Sequence, residues 1–161
     1  MKSRIDKLIF QLDNVVNGTP YYGDSVNQII DLITSEQANN SINEGHSIAQ
    51  IIKHMLAWRL YAIEHLKDNV DYDIELGSDM DWPDIIINSP SEWDELKEEF
   101  KQSHETLIEL LKAKDDNWLS TKLPRKEFSY NFMLKGIMQH DLYHIGQVNL
   151  CLLYTSDAAD E

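Results

Sequence analysis

A chain of 161 residues with a net charge of -14, from 14 Lys+Arg against 28 Asp+Glu, repels a phosphate backbone, and nucleic acid is excluded as an expected partner. A single cysteine excludes a disulfide framework and a cysteine-rich zinc site, and no apolar run approaches the roughly 20 residues that cross a membrane. With 42% apolar residues the chain is long enough to bury one core, so the expectation is one cytoplasmic globular domain.

Residues 1 to about 17 place Ile5, Leu8, Ile9, Leu12, Val15 and Val16 at helical spacing, and Asn17-Gly18-Thr19-Pro20 ends that helix. Asp24 to Ile33 forms a short second helix with Val26, Ile29, Ile30 and Ile33 on one side. A polar connection, Thr34 to Gly45, follows. Ser47 and Gln50 have the form of a capping box and open a long helix, about 47 to 68, whose stripe is Ile48, Ile51, Ile52, Met55, Ala62, Ile63 and Leu66. His54 lies on the flank of that stripe.

Residues 69 to 88 lack sustained periodicity and read as an irregular crossover containing Gly77 and Trp82-Pro83. Ile85-Ile86-Ile87 could be a short strand, although no nearby segment offers a pairing partner. Ser89-Pro90-Ser91-Glu92 is a helix start, a capping-box Ser and Glu with Pro at the first helical position. The helix it opens runs to about Lys114, with Trp93, Leu96, Phe100, His104, Leu107, Leu110 and Leu111 inward, and Asp115-Asp116-Asn117 breaks it. A last helix begins near Ser129, with Phe132, Met133, Ile137, His140, His144 and Val148 on one face. Four long amphipathic helices with a long crossover between the second and third predict an all-α four-helix bundle.

The segment 151–161, CLLYTSDAADE, is similar to the translation of a transposon-end adapter used to build sequencing libraries. It is read as adapter read-through rather than native chain, which puts the domain at 1–150 and withholds any functional role from Cys151. Removing its three acids leaves a net charge of -11, so the exclusions above stand.

Chemistry concentrates in Gln139-His140-Asp141-Leu142-Tyr143-His144-Ile145-Gly146-Gln147. On a helix His140 and His144 are i and i+4, so both imidazoles project from one face and can share an ion. A third ligand is needed, and His54 lies on a helix that also turns an apolar face inward. Hydrogen-bonded structural histidines at the bundle edge remain the alternative on spacing alone. His65 lies eleven residues beyond His54, about 16 Å along a helix axis, and cannot join them. His104 reads as a structural residue and His46 as part of loop packing. Asp141 either orients an imidazole, accepts a proton or is a solvated carboxylate. Gln147 either touches a metal-bound water or satisfies backbone. Gly136 and Gly146, each unfavourable inside a helix, point to close approach of a neighbouring helix or a bound ligand.

Tyr22-Gly23-Asp24-Ser25, His46-Ser47-Ile48 leading to His54 and Trp58, and Gln139 to Gln147 together resemble the DinB-like superfamily, which is distinct from the DNA polymerase sharing that name. It comprises metal-binding bundles, among them YfiT-type hydrolases and bacillithiol- or mycothiol-dependent transferases. The resemblance implies that His54, His140 and His144 bind a divalent metal, zinc or nickel. It also implies a low-molecular-weight thiol such as bacillithiol, an electrophilic substrate, and a homodimer. Three neutral imidazoles leave open coordination positions for Lewis-acid chemistry. The expected function is a metal-dependent thiol S-transferase in detoxification or stress response, with Asp141 and Gln147 as supporting residues of the site. The alternatives are a metal-dependent hydrolase, in which water replaces the thiol, and a non-catalytic metal- or ligand-binding bundle.

Overall fold

A computed structural model describes residues 3–156. The first helix, α1 (Arg4–Val16), starts at Ser3, whose side chain accepts the Asp6 N–H while the Asp6 carboxylate accepts the Ser3 N–H. This reciprocal pair satisfies two of the donors that every helix start leaves unpaired. The short α2 (Val26–Asp31) follows, and a 3₁₀ turn at Gln37–Asn39 interrupts the polar connection. Ser47 and Gln50 form the expected capping box at the head of α3 (Ile48–Leu66).

Ser89 caps α4 (Pro90–Lys112) through the Glu92 N–H, with Pro90 in the first turn. Only half of the expected box forms there, because the Glu92 carboxylate reaches past Ser89 to the Asn88 N–H at 2.7 Å. Asp115 does more than break α4. Its carboxylate caps the one-turn α5 (Asp116–Leu119), and the adjacent Asp116 carboxylate accepts the N–H groups of Arg4 and Ile5, tying α5 to the head of α1. The last helix, α6 (Tyr130–Ser156), passes through the expected domain end near residue 150, and Cys151 is buried against the core. The remainder of the adapter-like segment, 157–161, lies outside the described residues.

Helix α3 packs against α4 and α6, and α1 closes the ring by packing against the same two, which gives the expected all-α four-helix bundle. No strand forms among the described residues, where the only β-type pairing is an isolated bridge, Lys122 to Ser129. Ile85–Ile87 is therefore corrected from a candidate strand to irregular chain. The Asn39 side chain accepts the Ile87 N–H and donates to the Ile87 carbonyl, doing locally what a neighbouring strand would do. Ile87 is buried and Ile86 faces solvent. No helix among the described residues is long and apolar enough to cross a membrane.

The core is in two parts. One apolar cluster gathers Val15, Val16, Ile48 to Leu56, Trp93, Leu96, Phe100, Ile145 and Val148, and the other gathers Ile5 to Leu12, Tyr61 to Leu66, Leu107, Leu111 and Met133 to Ile137. On each long helix the boundary between the two carries a polar residue: Asp13, Arg59, His104 and Asp141. These four form one chain across the bundle. Arg59 donates to the Asp141 carboxylate and to His104 Nδ1 (3.0 Å), and His104 Nε2–H donates to Asp13 at 3.1 Å. Arg59 is fully buried and also stacks its guanidinium over Phe100 at 4.8 Å. Burial, reinforced by the Arg59 charge, holds the His104 pKa down at about 4, so the imidazole that accepts from Arg59 is neutral.

Candidate metal centre

His54 from α3 and His140 and His144 from α6 converge at one edge of this polar layer, and their available ligand nitrogens all lie within 4.8 Å of one another. The Nε2 atoms of His54 and His140 are 3.0 Å apart. Adjacent nitrogens bound to one ion at ~2.1 Å are separated by about 3.0–3.4 Å, so this pair is already at ligand spacing. Closing the widest separation in the set requires side-chain adjustment on the order of 1 Å.

Two of the three ring tautomers are set from outside. His54 Nδ1 donates to the Asp81 backbone carbonyl at 2.6 Å, with the Asp81 carboxylate 3.2 Å away, and His144 Nδ1 donates to the Gln147 amide oxygen at 2.6 Å. Since each Nδ1 carries its proton, each Nε2 is left with a lone pair. Burial lowers the pKa of all three histidines; neighbouring imidazoles add to this at His140, which falls to about 3. The cluster is neutral near pH 7, as metal ligands must be. Three neutral nitrogen donors suit zinc or nickel and leave further coordination positions unfilled. The three histidines fit a divalent ion.

Asp81 is a residue that helical periodicity could not reveal. It is buried in the crossover, where its carboxylate accepts from Trp58 Nε1 and from the Gly77 N–H, both at 2.8 Å. Gly77 adopts φ +78, a left-handed conformation that turns the chain back on Asp81. Trp82 beside it lies between two imidazoles, 3.7 Å from the His46 ring and 3.7 Å from the His54 ring, nearly parallel to both. His46 thus packs in the loop as expected, but it packs onto the aromatic cover of the site.

The DinB superfamily's sequence pattern matches residues 23–148. The chain belongs to the DinB superfamily. No curated protein and no solved structure matches it.

Within this DinB superfamily bundle the other expected site residues fall in different places. Gln147 orients His144 and donates weakly to the Tyr143 hydroxyl at 3.3 Å, so it satisfies an imidazole rather than backbone. Asp141 is neither solvated nor bonded to an imidazole. It is buried and bonded to Arg59, and burial pushes its carboxyl up to about 6 against the pull of that guanidinium. One residue is about 100° of helical turn, which carries Asp141 from the face of His140 into the core. His65 is buried against Tyr61, apart from the cluster, as its distance along α3 requires. Gly136 and Gly146 have no atom within 4 Å of where a Cβ would stand, so close approach of a neighbouring helix is corrected to open space. Two cavities border the site, one of about 370 Å³ beside His144 and one of about 470 Å³ beside His140.

Proposed function

We propose that the protein is a metal-dependent S-transferase that joins a low-molecular-weight thiol to an electrophilic small molecule. The observation carrying this reading is the set of three neutral imidazoles, two with Nε2 kept unprotonated by carbonyl acceptors at Nδ1, at the edge of two cavities. His54, His140 and His144 would hold the ion, with zinc or nickel matching the donor set. A divalent ion there supplies Lewis acidity, lowering the pKa of a thiol or water that reaches it. Asp81 and Gln147 keep the two imidazoles in the tautomer that ligates, and the Trp82 stack shields His54 from solvent. The net reaction forms a bond from sulfur to an electrophilic carbon; the thiol proton goes to solvent and the leaving group departs with the bonding pair.

The test is a thiol panel that includes bacillithiol and cysteine, each incubated with monochlorobimane and the zinc- or nickel-loaded protein. Adduct fluorescence should form faster than in protein-free controls for at least one thiol, and this excess should vanish in His144→Ala. No acceleration with any thiol contradicts the transferase, and metal-dependent ester cleavage without thiol would establish the hydrolase instead.

A further inference from the structure

The cavity of about 470 Å³ beside His140 has a chemistry of its own. Trp58, Tyr61, Phe128 and Phe132 supply aromatic walls, and Ile74, Leu76 and Met133 complete an apolar lining. Its polar edge groups are paired, except His140 Nδ1, which is buried without a partner. Lys126 is paired with Asp73 at 2.8 Å, so the cation brings no unpaired charge, and Trp58 Nε1 is committed to Asp81. A ligand in this cavity would meet ring faces and methyl groups rather than a free donor or a net charge.

Gly136 carries the argument further. It lines the same cavity one helical turn before His140, on the same face of α6, and nothing stands within 4 Å of its absent Cβ. Glycine is the poorest helix former after proline, and here its missing side chain leaves space inside an apolar cavity rather than room for a packed neighbour. Phe132, expected to face inward, is instead 66% exposed and stands at the cavity's rim, as does Leu76, at 78%. Large apolar groups left in water around a concave, aromatic-lined space mark a ligand site better than a packing defect.

We propose that the cavity bounded by Trp58, Tyr61, Phe128, Phe132 and Gly136 binds an uncharged aromatic group of a small molecule and presents it beside His140. As a choice of substrate class it rests on the proposed ion site; as a binding site it does not. The volume is that of a small-molecule pocket. An anion would have to share Lys126 with Asp73 and would be repelled by the acidic chain, while a cation would have to leave water for carbon walls.

Equilibrium dialysis of 1-naphthol and 1-naphthoate against the full chain, with bound metal measured on the same samples, tests this. Wild type should bind 1-naphthol saturably and at least tenfold more tightly than 1-naphthoate. Gly136→Leu, which fills the cavity from a position where leucine favours helix, should weaken 1-naphthol at least tenfold while circular dichroism and metal content stay unchanged. Phe132→Ala, a change at an exposed side chain, should weaken it several-fold and guards against a folding defect in the first variant. Undiminished 1-naphthol binding in both folded variants, or a preference for 1-naphthoate, overturns the assignment even if the ion is bound. Cavity-dependent 1-naphthol binding in a protein that holds no ion upholds the assignment while removing the metal-dependent reading.

Discussion

Gln147 stands one turn beyond His144, and its amide oxygen accepts a hydrogen bond from Nδ1–H at 2.6 Å, which leaves Nε2 as the nitrogen free to ligate. Gln147→Leu removes that acceptor with little change in size. Partners of this kind are worth about 10- to 100-fold in metal affinity, so zinc affinity measured by chelator competition should fall by that factor with the fold intact. An unchanged affinity would mean that His144 is oriented by something else. At this scale the sequence is uneven in what it reveals. The pair His140 and His144 is legible because four residues return a helix to the same face, and His54 because it interrupts an apolar stripe. Asp141 misleads, since lying between two candidate ligands suggests chemistry while the helical angle sends it into the core toward Arg59. Asp81 and Trp82 are illegible, for they sit in a crossover whose shape depends on a left-handed glycine and on tertiary contacts rather than on a repeat.

Among the elements, α3 and α6 matter most, because the three candidate ligands divide between them and a slide of one past the other would separate His54 from its partners. The Arg59–Asp141 pair, which joins these two helices in the core, opposes such a slide. Arg59→Leu leaves a buried carboxylate without its partner and should cost about 3–5 kcal/mol in urea denaturation. Arg59→Leu/Asp141→Leu removes both charges and should recover part of that loss, because a buried pair replaced by apolar groups is often neutral or stabilising, while His104 Nδ1 still lacks its Arg59 donor. A double variant as unstable as the single would contradict the pairing. Helix positions were largely legible from apolar spacing and from Ser47 and Ser89 as caps, with starts found within about three residues; the Ser3 cap of α1 went unread. The missed element, α5, is a single turn too short for periodicity to register, and only its Asp115 cap marks it.

Across the whole molecule, a layer of polar residues divides two apolar clusters, and the candidate metal centre occupies one edge of that layer where the crossover covers it. The bundle was predictable because four amphipathic stripes have few other ways to bury their faces. The crossing layer was not, because Asp13, Arg59 and His104 acquire their meaning only when four helices meet. An ion that binds the folded site alone must also stabilise the bundle by linkage. The most direct test of the account is therefore bound metal per chain after zinc or nickel loading and exhaustive dialysis, measured by mass spectrometry for wild type and for His54→Ala, His140→Ala and His144→Ala. The account predicts about one ion per wild-type chain and its loss in each folded variant. Wild type without an ion, or a variant that keeps the full complement, would contradict it.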